Sequence, residues 1–369
     1  MEDETLRMLR DAVCAFTKDS AKRVRKARES EYGFDKNVWG RIAEQGWISA
    51  LVSEDKGGLG LGCAAANVVA NELGRAAIPE PYVAAAVLPA TLLSNCQASG
   101  LAIDMLALIA SGDLLCAVAW QSESGSLDPL QTPLKAIAEG SDILITGTAN
   151  SLMTCGMDAV VAVALRDGEL AMYWVPIATD GVTVNRERRA DWGYDSSITF
   201  DSVRVSSTNL IDDGDNAINA LGFAIDTSLV AAAAELTGVT ERMLELTLDY
   251  LKTRTQFGKQ IGSFQALKHR AVDLWMHTEI SKAATAAAAE DMDDVNIDPR
   301  ARSAVSSGAK ARASDTSLFV GKQAVQMHGA IGVTDEYDLS LYFNKALVLS
   351  TYLGNGAVNR SRYASMKGA

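Results

Sequence analysis

Histidine occurs only three times in this 369-residue chain, as His269, His277 and His328, and the five cysteines stand far apart as Cys14, Cys63, Cys96, Cys116 and Cys155. No pair has the spacing of metal ligands, and an odd number of scattered thiols is no disulfide framework. Zinc chemistry and a cross-linked scaffold are therefore not expected, and the thiols read as free and buried. Basic residues are also in deficit: 34 Lys and Arg face 46 Asp and Glu, a net charge of -12. Binding a phosphate backbone needs a positive surface, so nucleic acid is not an expected partner. No apolar run approaches the length of a membrane span, and the stretch from Leu101 to Ala110 is interrupted by Asp104. The opening Met1-Glu2-Asp3-Glu4 has no basic region followed by an apolar run, so neither a signal peptide nor membrane attachment is expected. The expected compartment is the cytoplasm.

What is present is long helical patterning around one compact segment. Val239, Met243, Leu246 and Tyr250 fall on one face at 3.6 residues per turn, and Phe264, Leu267, Ala271, Leu274 and Thr278 form a second such face. Between them lies Arg254-Thr255-Gln256-Phe257-Gly258-Lys259-Gln260-Ile261, a tight helix-to-helix turn with Gly258 and Gly262 as breakers. An arginine beside exposed backbone amides suits a pyrophosphate, because its planar guanidinium pairs bidentately with phosphate oxygens. By spacing alone, an ordinary inter-helical turn is the favoured reading.

A chain of this length holds two or three domains with substantial cores. Up to Leu115 the patterns are helical: Thr5 to Arg28, Asn37 to Gln45, Cys63 to Ala77 and Val83 to Ser94. The glycine-rich Glu54 to Gly62 stretch lacks the Lys-Ser/Thr of a phosphate cradle and reads as a structural loop. From Leu115 the character changes to short runs of Val, Ile and aromatics: 115–120, 142–145, 160–165, 170–176 and 197–205. A small antiparallel barrel or sandwich follows. Asp212-Asp213-Gly214-Asp215 breaks this pattern, and the remainder is alanine-dense and helical, the makings of a four-helix bundle. Asp293, Asp294 and Asp298 read as a solvated linker between two of its helices, since the glycine and terminal glutamate of a calcium loop are missing. The expected division is 1–114 helical, 115–212 β and 213–369 helical.

Arg254, Phe257-Gly258, Ile261 and Phe264-Gln265 resemble the R-x-x-F-G-x-x-I-x-x-F-Q signature of the acyl-CoA dehydrogenase family. Gln326-Met327-His328-Gly329-Ala330-Ile331-Gly332 is similar to that family's Q-x-x-G-G-x-G, with Ala330 for the second glycine, and Thr334-Asp335-Glu336-Tyr337 to its T-x-E-Y. Gly46-Trp47, the glycine loop and Glu72-Leu73-Gly74-Arg75 follow the family order, so the resemblance spans the chain. It implies an α+β multidomain fold: N-terminal helical domain, small middle β-barrel or sandwich, C-terminal four-helix bundle. It also implies FAD and the α,β-desaturation of an acyl-CoA thioester, in which a carboxylate takes the α-proton and the flavin receives the β-hydrogen as hydride.

The departures from the family pattern fall on one half of its site. Where the resemblance puts the base, in Y-E-G-T, the chain reads Tyr352-Leu353-Gly354-Asn355, and at the alternative base position it has Thr227 and Ser228. Ser151-Leu152-Met153 replaces the family's Trp-Ile-Thr beside the flavin ring, and Gln121 to Ser126 replaces T-E-P-x-A-G-S. Retained are Arg254, Gln256, Phe257, Gln265, Gln326 and Gly329, which in the family hold the FAD of a neighbouring subunit. By resemblance this is the pattern of a non-catalytic β subunit in an α2β2 acyl-CoA dehydrogenase, several of which act on steroid-derived CoA thioesters. A catalytic α chain and an electron-transfer flavoprotein or similar acceptor are the implied partners. Two other readings stand beside it: a self-sufficient homo-oligomer with a displaced base, Asp226 or Glu235, and a flavin-free scaffolding module.

Overall fold

The computed structural model describes residues 4–97, 100–122 and 127–368. Its first segment is helical: α1 (Glu4–Phe16), α2 (Ser20–Ala27), α3 (Lys36–Glu44), α4 (Gly62–Arg75), α5 (Leu88–Asn95) and α6 (Gly100–Ala110). The pattern from Thr5 to Arg28, expected as one helix, is broken between α1 and α2, where Asp19 takes a left-handed φ of 59°. Asp35 caps α3 by accepting from the Asn37 N–H, the ordinary role of an aspartate at that position. A π-helical turn, Val83–Val87, leads into α5 with all five residues buried.

The middle segment is one mixed sheet of β1 (Cys116–Ala119), β2 (Leu134–Glu139), β3 (Asp142–Ser151), β4 (Ala159–Arg166), β5 (Glu169–Pro176), β6 (Val182–Arg188), β7 (Tyr194–Ser206) and β8 (Leu210–Asp213). Its order is β6-β7-β3-β2-β4-β5-β8, with β1 also paired to β4. Most pairs are antiparallel, but β1 and β2 both run parallel to β4, so the sheet is not the purely antiparallel one expected. The unexpected strands β2, β6 and β8 are short or polar. β6, Val-Thr-Val-Asn-Arg-Glu-Arg, is an exposed edge strand whose charges hide it from a hydrophobic reading.

The third segment begins at α7 (Gly214–Thr253), 40 residues long, followed by the hairpin β9 (Thr255–Gln256) and β10 (Lys259–Gln260). Then come α8 (Gln265–Asp293), α9 (Pro299–His328), α10 (Leu339–Thr351) and α11 (Gly356–Lys367). α7 to α10 form the bundle, and α11 packs on α9. By length and apolar composition α7 alone, among the described residues, passes for a membrane span, contrary to the sequence expectation. Yet 78% of its most apolar window is buried within the chain, as in a bundle's central helix. Its first half joins the core of the N-terminal helices and the sheet; its second half lies in the core of the bundle. Close approach to α4 depends on two glycines: a side chain at Gly74 would strike the Glu235 carbonyl, and one at Gly238 the Asn71 carbonyl.

The aspartates read as a solvated linker have structural work. The Asp293 carboxylate accepts from the Cys63 and Ala64 N–H groups at 2.6 and 2.9 Å, capping α4 from the far end of α8. Asp298 caps α9 by accepting from the Arg300 and Ala301 N–H groups, with Pro299 at the first helical position. Four cysteines are buried as expected, and Cys14 is exposed.

Candidate cofactor half-site and the sealed base positions

α7 ends at Thr253, and the chain turns through the β9–β10 hairpin before entering α8. The turn residues Phe257 and Gly258 both have positive φ, 53° and 77°, the pattern of a type I′ turn whose twist matches that of a hairpin. Glycine adopts this freely; phenylalanine does so only under strain. The Ile261 N–H closes the base of the hairpin onto the Arg254 carbonyl at 2.9 Å. The Phe257 ring, 89% exposed, meets the edge of Phe264 with ring centroids 6.1 Å apart, and Lys259 Nζ sits 4.4 Å from the centre of the Phe264 ring. Arg254 is exposed, and its guanidinium has no partner among the described residues. A strained, solvent-facing phenylalanine beside an uncommitted arginine has little to offer the chain's own stability.

Gln326 and Gly329 reach the same end of the bundle from α9. Tyr250, in the last turn of α7, stacks on His328 with ring centroids 4.4 Å apart and donates its hydroxyl to the His328 carbonyl at 3.3 Å. Tyr337 closes the other flank of the imidazole at 5.0 Å. His328 Nδ1 lies 2.8 Å from the Ala324 carbonyl and so carries the proton, and burial holds the ring below its ordinary pKa, keeping it neutral. Gly329 then leaves α9 with φ 69° and ψ -147°, a conformation suited to glycine alone. On the other side only residues 294–298 separate α8 from α9, so the two helices run antiparallel, His277 meets Phe319 at 4.7 Å, and Gln265 comes to the end that holds Gln326. All six candidate residues are exposed at this one end.

The positions where a base would stand are different in kind. Leu353 is fully buried in the core shared by the N-terminal helices and the sheet, with φ 52°, and its neighbour Tyr352 is also buried. Thr227 is buried too, its hydroxyl donating to the Phe223 carbonyl within α7. Lys310 of α9 fixes the Leu353 loop from below: its ammonium donates to Ser314 Oγ at 3.0 Å and to the Gly354 and Ser350 carbonyls at 3.2 and 3.4 Å. It forms no ion pair among the described residues, and burial brings its pKa down to about 7. Nothing in the sequence reading singled out this lysine, although a cation within the small-residue run Ser307-Gly308-Ala309-Lys310-Ala311 was the available signal.

Neither displaced-base candidate is free to act. Asp226 is wholly buried: Oδ1 accepts from Arg362 at 2.9 Å and Ser306 at 3.0 Å, and Oδ2 from Arg302 at 3.0 Å and Ser303 at 2.8 Å. Its lone pairs are all committed, so it ties α7 to α9 and α11 rather than facing a substrate. Glu235 is buried against Lys345 at 2.7 Å. In the segment that replaces Trp-Ile-Thr, Ser151 bonds Thr154, and the Met153 N–H is taken by Asp195 at 2.7 Å. Of the Gln121 to Ser126 segment, Ser124 to Ser126 and Glu123 lie outside the described residues, while Gln121 is buried and bridges to Asn150.

A helical N-terminal segment, a central sheet and a C-terminal bundle with exposed polar residues at one end form the architecture of a flavin-dependent acyl-CoA oxidoreductase. Residues 3–96 match the acyl-CoA dehydrogenase N-terminal domain model, and residues 224–366 the C-terminal domain model. The chain is 34% identical over 359 residues to acyl-CoA dehydrogenase IpdE2 of Mycolicibacterium smegmatis, covering 95% of each. It superposes on the Tcur3481-Tcur3483 steroid acyl-CoA dehydrogenase with a TM-score of 0.87 at 26% identity, covering 99% of this chain and 98% of that one. It has the same fold as a chain of the ChsE4-ChsE5 complex from Mycobacterium tuberculosis, with a TM-score of 0.89 at 24% identity over 100% and 98% of the two chains. The chain belongs to the acyl-CoA dehydrogenase family, whose cofactor is FAD. When bound, FAD takes up the hydride equivalent of the desaturation. The exposed guanidinium and amides of Arg254, Gln256, Gln265 and Gln326 are donors suited to its phosphates and hydroxyls, whereas the packed interior around Leu353 offers no carboxylate where the base would stand.

Proposed function

We propose that this chain is the non-catalytic subunit of a heteromeric acyl-CoA dehydrogenase and completes, with Arg254, Gln256, Phe257, Gln265, Gln326 and Gly329, the FAD site of a catalytic partner. One observation carries the reading: the six candidate cofactor contacts are exposed together, while both base positions are packed into the core without a carboxylate. A chain selected to act alone has no use for half of this arrangement. The role of this chain is to hold and orient the phosphate-bearing part of the cofactor; proton abstraction belongs to the partner, which in an α2β2 assembly supplies the carboxylate. The likeness to a steroid acyl-CoA dehydrogenase supports a steroid-derived acyl-CoA as the substrate class.

The test is flavin absorbance and native mass of the chain alone and after co-expression with a catalytic acyl-CoA dehydrogenase chain. Flavin held only by the mixed complex, and lost from it in Arg254→Ala, is the expected result. A yellow homo-oligomer that oxidises an acyl-CoA unaided overturns the subunit reading.

A further inference from the structure

The seam between the α2–α3 connection and the β6–β7 hairpin carries a row of cations and rings that shares no residue with the half-site. Arg186 and Arg188 are two positions apart on β6 and so lie on one face of the strand, with Glu187 on the other. Arg188 stands opposite Tyr194 in the β6–β7 pairing. Its guanidinium lies 5.3 Å from the centre of the Tyr194 ring and 5.0 Å from that of Trp192. Arg28 lies 5.2 Å from the Trp192 ring, and Arg186 lies 5.8 Å from Tyr194 and 6.0 Å from Tyr32. Lys36 Nζ completes the row 5.0 Å from Tyr32. Past Tyr32 the row opens into a cleft of about 280 Å³ lined by Lys26, Phe34 and Lys36.

Three of these cations carry charge that the chain leaves unmatched. Asp335 takes up Arg28 at 2.8 Å, and Glu80 takes up Arg23 beside the cleft at 2.8 Å. Among the described residues Lys26, Arg186 and Arg188 form no ion pair, a local reversal of sign on a chain with a net charge of -12. Arg186 donates to the Glu31 carbonyl at 3.2 Å and Arg188 to the Arg28 carbonyl, which aims both side chains along the seam and leaves each with further N–H donors. Trp192 is 43% exposed yet holds a φ of 71°, a strained conformation for so bulky a residue. The turn that presents it is braced: Asp191 accepts from Arg189 at 3.0 Å and from the Gly193 N–H at 3.1 Å, and Asp195 accepts from Arg189 at 3.1 Å. Strain kept at an exposed ring on a braced turn points to use by a ligand rather than by the fold. Aromatic and guanidinium planes accept a nucleobase by stacking, and guanidinium donors pair with phosphate oxygens. An acidic peptide would engage the cations and leave the rings idle; a nucleoside phosphate engages both. We propose that this seam binds a nucleoside phosphate, with the base on Trp192, the phosphates on Arg188 and Arg186, and Lys26 and Lys36 at the far end of the row. Two sources offer this chemistry, a free nucleotide and the nucleotide end of coenzyme A.

The experiment is calorimetric titration of the full chain with ADP, coenzyme A, inorganic phosphate and an oligoglutamate peptide. Wild type is compared with Trp192→Gly, with the double variant Arg186→Gln/Arg188→Gln, and with Arg254→Ala, each checked for folding by circular dichroism and melting temperature. Glycine suits a φ of 71°, so Trp192→Gly is expected to fold and to lose affinity for ADP roughly tenfold or more. The double arginine variant is expected to lose binding, and wild-type affinity to fall as salt is raised. Arg254→Ala is expected to bind ADP as wild type does. Tighter ADP than coenzyme A identifies a free nucleotide as the ligand, and the reverse identifies the coenzyme's nucleotide end; either sustains the site. Unchanged ADP affinity in Trp192→Gly and in the double variant overturns the site, and loss of ADP binding in Arg254→Ala moves it to the half-site and overturns it likewise. Phosphate or oligoglutamate that binds as well as ADP reveals an anion surface with no platform for a base, which overturns the proposal, as does a wild-type chain that binds none of the four.

Discussion

Tyr250 and His328, 78 residues apart in the chain, stack with their ring planes 27° apart and share a hydrogen bond from the tyrosine hydroxyl to the histidine carbonyl. This contact makes one surface out of two distant sequence motifs. It holds the end of α7, from which Arg254 and the hairpin follow, against the end of α9, from which Gly329 turns.

Replacing Tyr250 should therefore weaken FAD retention without touching the cofactor. An aromatic stack and a hydrogen bond are each worth about 1 kcal/mol. Tyr250→Leu is expected to reduce the flavin affinity of the mixed complex about tenfold, and Tyr250→Phe, which keeps the stack, to recover much of it. Flavin titration of the apo-complex measures both. Equal affinity in wild type and Tyr250→Leu would show that the stack does not position the half-site.

A restored carboxylate should not restore chemistry. Leu353→Glu places an ionisable group in a packed core, and a buried polar or charged group without partners costs about 3 kcal/mol or more. Urea unfolding should show that loss, and acyl-CoA oxidation with an artificial electron acceptor should show no turnover by Leu353→Glu or Thr227→Glu as isolated chains. Turnover by either would mean that the ring pocket is open after all.

Asp226 is expected to behave as a tie between helices. Asp226→Asn leaves Arg302 and Arg362 facing a neutral amide in the interior, and breaking a buried ion pair from one side costs about 3–5 kcal/mol. The loss should appear in chemical denaturation. A variant of wild-type stability would mean that the two guanidinium groups find compensation elsewhere.

Lys310 gives the chain a pH signature. Its folded pKa of about 7 lies below the ordinary 10.5. Below pH 7 both folded and unfolded chains hold the proton, the desolvation penalty is present in full, and this group contributes no slope. Between the two values the unfolded chain binds more protons than the folded one, so stability rises with pH, by at most about 1.4 kcal/mol per unit. Unfolding measured from pH 6 to 10 should show this rise in wild type and its absence in Lys310→Met. Parallel profiles would place the folded pKa near its ordinary value.

The principal elements were legible because they rest on periodicity and composition. The apolar faces around Tyr250 and Leu274 lie on α7 and α8, the change to β-type runs at Leu115 precedes β1, and Asp213, the last residue of β8, stands next to the start of α7. Polar strands were not legible: β6 carries Arg186, Glu187 and Arg188 because it is an edge facing water. The candidate half-site residues were visible as motif letters, but their gathering at one end was not, since it depends on Tyr250 reaching His328 and on α8 and α9 running antiparallel. The closure around Leu353 was half visible, as a missing glutamate. That Asp226 is unavailable could not be read locally, because Arg302, Ser303, Ser306 and Arg362 all lie far downstream of it.

The 40-residue α7 has a consequence for how the chain is made. At about 1.5 Å per residue it is a rod some 60 Å long, shared between two cores that would otherwise be separate. While the first 213 residues are emerging from the ribosome, the sheet and the N-terminal helices lack the helix that covers them. Synthesis of α7 completes one core and at once exposes an apolar half waiting for α8 and α9. Nascent chains halted after Asp213 should therefore be sticky and protease-sensitive, and the finished protein should melt in one step rather than segment by segment.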